Sequence, residues 1–175
     1  KIKGDYVETG VWKGGLSILA FLCFGKNKIN KKFILFDTFE GMSKPTSFDK
    51  KRNKSSKEVF KKWQNSINSD SKWNYASLDD VKQNILKLCG KKNIKYFRFI
   101  KGKVEQTLKD KKNLPNKISL LRLDTDFYAS TKSELKYLFS LVSKGGIIIF
   151  DDYSNWLGAK KAIDEFFKNK KYILT

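Results

Sequence analysis

The sequence predicts an α/β protein built on a Rossmann-like, doubly wound, mostly parallel sheet. Short apolar runs alternate with helix-period segments along the chain, the pattern of a parallel sheet covered on both faces. The first apolar run is followed by a glycine-rich turn, Gly10-Val11-Trp12-Lys13-Gly14-Gly15, and then by an apolar helix. Strand, glycine turn, helix is how nucleotide-binding α/β folds open. Two late strands each run straight into aspartates, at Asp124-Thr125-Asp126 and at Asp151-Asp152. A helical crossover between them makes the strands parallel. Asp124, Asp126, Asp151 and Asp152 should therefore gather at one carboxyl edge, where open α/β sheets bind ligands.

The elements follow in order. Asp5-Tyr6-Val7-Glu8-Thr9 reads as the first strand, and residues 17–24 as a buried helix ending near Gly25. The second strand, residues 32–36, runs into Asp37. An acid there, roughly 20 residues past the glycine turn, is placed to hold ribose hydroxyls. Residues 42–80 change character, dense in Lys, Ser, Asn and Asp. The stretch is too long for a plain connection and is expected to be lid-like or a mobile insertion. Within it residues 58–63 suggest a short helix, and Trp63 and Trp73 are candidates for a pocket or for packing. Ser77 and Asp80 form a capping box opening a helix through Leu88. Residues 96–100 and 118–123 read as the third and fourth strands, with a helix from Val104 between them. Thr131 and Glu134 form a second capping-box pattern, and Gly145 suits that helix's stop. Residues 147–150 make the fifth strand, 159–168 a helix, and 172–174 a sixth strand.

Composition bounds the function. At 175 residues, 40% hydrophobic and 14% aromatic, the chain is a single globular domain spanning residues 1–175. No apolar run is long enough to cross a membrane. It begins with Lys1 rather than Met, which reads as part of something longer. The net charge of +19 is spread through the chain and carried almost wholly by Lys, so a nucleic-acid partner is not expected. With no His and only Cys23 and Cys89, a His/Cys zinc site and a His-based triad are both excluded. The two thiols read as reduced and packed, in a cytoplasmic protein.

The acids carry the chemistry. Asp124, Asp151 and Asp152 supply hard oxygen ligands suited to Mg²⁺. Such an ion would relieve their repulsion and lower the pKa of a substrate hydroxyl. Asp126, two residues beyond Asp124, is placed to act as a general base. The residues alone leave the organic cofactor open between a methyl donor and a dinucleotide.

A resemblance narrows it. Glu8-Thr9-Gly10-Val11-Trp12-Lys13-Gly14-Gly15, Asp37-Thr38-Phe39-Glu40-Gly41-Met42 and Ser77-Leu78-Asp79-Asp80-Val81 resemble motifs of the macrocin O-methyltransferase family. So do Leu121-Arg122-Leu123-Asp124-Thr125-Asp126-Phe127-Tyr128-Ala129-Ser130-Thr131 and the tail from Asp151-Asp152-Tyr153 through Gly158 to Phe166. The resemblance implies a class I S-adenosylmethionine-dependent fold and a Mg²⁺-dependent O-methyltransferase acting on a hydroxyl of a sugar or glycosylated small molecule. It implies that Glu8, Gly10 and Gly14 form the methionine-side turn and that Asp37 holds the ribose. It implies Asp124, Asp151 and Asp152 as metal ligands and Asp126 as the base. Thr125 stands where the family has Gly, and Ala129 where it has Glu. The family's N-terminal lid helices and last strand are expected to be missing here, and a homo-oligomer stays open. The rivals are an NAD-dependent oxidoreductase, whose GxGxxG is lacking, a non-catalytic or truncated Rossmann-like domain, and a nucleic-acid methyltransferase.

Overall fold

The computed structural model describes residues 2–25, 31–67 and 72–169. Its sheet is built from β1 (Asp5–Thr9), β2 (Phe33–Asp37), β3 (Phe97–Lys101), β4 (Ile118–Leu123) and β5 (Val142–Phe150). All neighbours are parallel, in the order β3-β2-β1-β4-β5. The winding reverses at β1, which pairs with β2 on one side and β4 on the other. The helices are α1 (Gly15–Gly25), α2 (Ser56–Ile67), α3 (Leu78–Cys89), α4 (Val104–Thr107), α5 (Tyr128–Leu138) and α6 (Leu157–Phe167).

Side chains alternate across the strands and fill one core on each face. Tyr6, Phe33 and Leu35 face α1 and α3, where Ile18, Phe21, Val81 and Ile85 close the first core. Val7, Ile34, Phe36, Leu121 and Leu123 face the other way, onto Leu135 and Leu138 of α5 and Ile163 of α6. β2 reads as an unbroken apolar run because both of its faces are covered. β5 instead alternates: Ile148 and Phe150 join the second core, while Ile147 and Ile149 are exposed.

The elements match the expected order, with corrections. The capping box at Ser77 and Asp80 opens α3 as read. The one at Thr131 and Glu134 does not open α5, which starts three residues earlier. Thr131 Oγ1 donates to the Phe127 carbonyl, and Glu134 is fully buried. The cap comes from elsewhere: the buried Asp49 accepts from the Tyr128 N–H at 2.8 Å, across 79 residues of chain. β5 begins at Val142 rather than 147, because its register slips between the pairs Ile118–Val142 and Leu120–Ile147. Gly145, at φ 78°, lies within that irregular start and is not the helix stop. Cys89 is buried as expected, but Cys23 is exposed. The sixth strand read at 172–174 lies outside the described residues.

The described part of segment 42–80 packs over the carboxyl edge. Arg52 N donates to Asn155 O, Leu157 N to Lys50 O, and Met42 N to Trp73 O. Val59, Phe127, Trp156 and Ala159 form a small core beneath it, with Trp73 packed against them. Trp63 packs too, donating its indole N–H to Met42 O at 3.0 Å.

Candidate active site

The glycine turn and the acidic edge touch directly. Gly10, at φ 80°, follows β1; a Cβ there would sit 2.0 Å from the Asp124 carbonyl oxygen. Only glycine allows both that conformation and that approach. Gly10 N donates to Phe36 O, and Asp124 N to Thr9 O, each at 2.9 Å. Asp37, ending β2, ties the turn down: one oxygen accepts from Val11 N at 2.6 Å and Trp12 N at 3.1 Å, the other from Phe39 N at 2.7 Å. Gly14, at φ 82°, packs against Val81 of α3 and is not part of the cavity wall. Glu8 is also off the cavity. Its buried carboxylate accepts from Ser17 Oγ and from Tyr6 OH, and pairs with Arg122 at 2.7 Å.

Arg122 is the hub behind the acids. Its guanidinium reaches Glu8, Asp124 at 2.7 Å and Asp151 at 2.9 Å. Burial disfavours its charge, but Asp124, Glu8 and Asp151 more than offset this and hold it protonated. The sequence signal was a lone arginine inside an apolar strand. Asp124 and Asp151 are thus both engaged by Arg122, and the acids that converge are Asp124, Asp126 and Asp152. Each offers a carboxylate oxygen, all within 4.8 Å of one another. A tight turn brings Asp126 in: Phe127 N donates to Thr125 O at 2.7 Å, and Asp126 sits at φ 67°. That conformation costs a non-glycine residue about 1–3 kcal/mol, a strain typical of functional sites.

The electrostatics of the cluster suit a cation. Burial, then the hydrogen bond and charge of Asp152, pushes Asp126 up to about 10. Burial, with Asp151 and Asp152 adding to it, pushes Asp124 up to about 8 against the pull of Arg122. Clustered, desolvated carboxylates hold protons unless a cation replaces them.

One cavity of about 270 Å³ joins the two halves, lined by Gly10, Asp37, Asp124, Asp126, Asp152 and Lys51 among others. Trp156 both lines it and packs the core beneath. Sequence reasoning missed Lys51, Asp49 and Glu134. Glu134 accepts from Thr125 Oγ1 at 2.8 Å, while its other oxygen is buried without a partner. Burial pushes its carboxyl up to about 7, although the neighbouring hydroxyls of Thr125 and Thr9 oppose this. Its spacing from Thr131 and Leu138, three and four residues, was a signal that it faces inward. Nothing local marked Asp49.

Comparison with known proteins decides the family. A family model described as Macrocin-O-methyltransferase (TylF) matches residues 1–174. The chain belongs to the macrocin O-methyltransferase family. Within it, demethyldecarbamoylnovobiocin O-methyltransferase of Streptomyces niveus is 27% identical, over 94% of this chain and 58% of its own length. A relative from Streptomyces olivaceus, named 8-demethyl-8-(2,3-dimethoxy-alpha-L-rhamnosyl)-tetracenomycin-C 4'-O-methyltransferase, is 29% identical over 87% of this chain and 54% of its own. The chain therefore spans little more than half the length of these relatives. The solved O-methyltransferase NovP superposes with a TM-score of 0.76 at 27% identity, covering 99% of this chain and 68% of that one. CalS11, a calicheamicin methyltransferase, superposes at 0.65 with 16% identity, a likeness of fold.

Proposed function

We propose that this protein is a Mg²⁺-dependent O-methyltransferase that moves a methyl group from S-adenosylmethionine to a hydroxyl of a sugar or glycosylated small molecule. The observation that carries this reading is the single cavity with Gly10 and Asp37 at one end and Asp124, Asp126 and Asp152 at the other. Family membership supports the reaction class. The rhamnosyl group in one relative's name supports the substrate class.

The residues fit both absent groups. Gly10 lets the turn close onto Asp124 at the cavity wall, where the donor would lie. Asp37 lines the cavity at the end of β2, and its carboxylate, held by the turn's backbone N–H groups, would accept from a ribose hydroxyl. Glu8 and Gly14 act behind this contact, shaping the turn. The three converging carboxylates are hard oxygen donors, and two of them, Asp124 and Asp126, hold protons that a divalent cation would displace. Asp124 and Asp152 would hold the ion, with Asp151 supporting them through Arg122. When bound, the ion would supply Lewis-acid charge that makes a sugar hydroxyl more acidic, and the sulfonium donor brings a methyl already activated.

The chain's own residues then do three things. The turn from Gly10 to Trp12 and Asp37 orient the donor. Asp126, which a bound cation would leave ionised, would take the hydroxyl proton as the oxygen bonds the methyl carbon and the donor's carbon–sulfur bond breaks, releasing S-adenosylhomocysteine. The wall of Trp156 and Phe127 keeps bulk water out and fixes the acceptor's approach. Full-length protein should methylate glycosides with S-adenosylmethionine, lose turnover in excess chelator and regain it with Mg²⁺. Undiminished turnover in chelator would rule out the metal role; no transfer with any glycoside would rule out the reaction.

A further inference from the structure

The turn from Asp124 to Phe127 has two fixed ends and one strained residue. Its entry is tied to β1, with Asp124 N donating to Thr9 O at 2.9 Å. Its exit is tied to α5. The Phe127 carbonyl accepts from Ser130 Oγ and Thr131 Oγ1, each at 2.9 Å, and Asp49 caps the helix. Between these ends Asp126 stands at φ 67°, bridged by Phe127 N donating to Thr125 O at 2.7 Å. A three-residue turn closed at positive φ is the rare, strained kind. Such a conformation persists only where the surroundings over-determine it.

Thr125 is the residue the surroundings reach. Its Oγ1 donates to Glu134 Oε1 at 2.8 Å. Glu134 sits nearly two turns into α5, fully buried, and does not line the cavity. The Thr9 hydroxyl at the end of β1 also lies beside it. Its second oxygen is buried without a partner. A carboxyl placed so deep and only half satisfied weakens the core around it. An apolar residue would serve the packing of α5 better, so packing does not account for Glu134. Its contact with Thr125 does, because Thr125 lies between two of the converging acids and lines the cavity.

We infer that Glu134 is a positioning residue: through Thr125 it clamps the turn in the conformation that brings the Asp126 carboxylate beside Asp124 and Asp152. The helix lends the turn a rigid anchor from outside the loop. Without the clamp, Asp126 relaxes toward the negative φ that L-residues prefer, and its carboxylate leaves the other two. The consequence for ion binding rests on the metal reading of the site; the clamp itself does not.

Thr125→Val, Glu134→Leu, the two combined, and Glu134→Gln test it in the full-length protein. Val and Leu remove the hydrogen bond with little change of shape, whereas Gln keeps an acceptor oxygen for Thr125. Backbone carbon chemical shifts of Asp126 report its φ with no ion present, and calorimetry gives the Mg²⁺ affinity. Thr125→Val and Glu134→Leu should each lose the positive-φ shifts and weaken Mg²⁺ by about 10-fold or more. The combined variant should be no weaker than the weaker single one, since the same bond is removed in each. Glu134→Gln should keep both signals. Parent-like shifts and Mg²⁺ affinity in Thr125→Val would overturn the inference, even if Glu134→Leu fails to fold. So would a Glu134→Gln variant that loses both signals, or urea midpoints that fall while shifts and affinity stay at parent values. Shifts lost in Thr125→Val, with no Mg²⁺ bound by the parent, would support the clamp and sink the metal reading alone.

Discussion

Asp126 is where strain, burial and charge meet. It holds a positive φ, is almost wholly buried and is pushed up to about 10. If it takes the acceptor's proton, Asp126→Asn should lower kcat about 10²–10⁴-fold and leave S-adenosylhomocysteine affinity near that of the parent, as read by steady-state assay and calorimetry. A loss of cofactor affinity with kcat preserved would contradict the role. Glu134 makes a separate, titratable prediction. Its folded carboxyl is raised from 4.5 to about 7, so the fold prefers it protonated. Its stabilising share is complete below about pH 4.5, falls as pH rises toward 7 and is flat above that. Glu134→Gln should therefore gain stability over the parent at pH 8 by up to ~3 kcal/mol, with the gap closing by pH 4.5. Urea unfolding at both pH values measures it; an unchanging gap would show that Glu134 is not the titrating group.

At the scale of elements, the β1–α1 turn and the cap of α5 set the site. Gly10→Ala places a methyl against the Asp124 carbonyl. It should cost about 3 kcal/mol or more by forcing a strained backbone apart, with loss of S-adenosylhomocysteine binding; wild-type affinity in a folded variant would contradict the direct contact. Asp49→Ala removes the α5 cap and an anchor of the cavity wall, and should destabilise by about 1–3 kcal/mol while weakening acceptor binding. An unchanged thermal midpoint would show the cap to be dispensable. The strands, their order of appearance and the acidic edge were legible in the sequence because period and turn chemistry are local. The start of α5 was not, since its cap lies 79 residues away. Nor were the partners of the acids, because Arg122 reaches both Asp124 and Asp151 across the sheet and a backbone turn brings Asp126 to Asp124 and Asp152.

For the whole molecule, the acidic edge couples folding to protons and, under the proposed function, to a divalent cation. Without a cation, Asp124 and Asp126 are held at about 8 and about 10. Ionising them as pH rises costs stability, and a divalent cation must displace their protons. Mg²⁺ affinity should therefore rise with pH from 6 to 9, and binding at pH 7 should release about one proton, measured with an indicator in weakly buffered solution. Metal binding without proton release would contradict the coupling. Arg122 links this edge to Glu8 under the glycine turn, so the donor end and the acid end share one buried framework. Their meeting in one cavity is the central claim. A crystal of the full-length protein soaked with S-adenosylhomocysteine and Mn²⁺ tests it most directly, through the anomalous signal of the ion. The account predicts Mn²⁺ on Asp124 and Asp152, with the ribose at Asp37 and the sulfur facing the same cavity. An ion absent from that edge, or a cofactor bound away from Gly10 and Asp37, would contradict it.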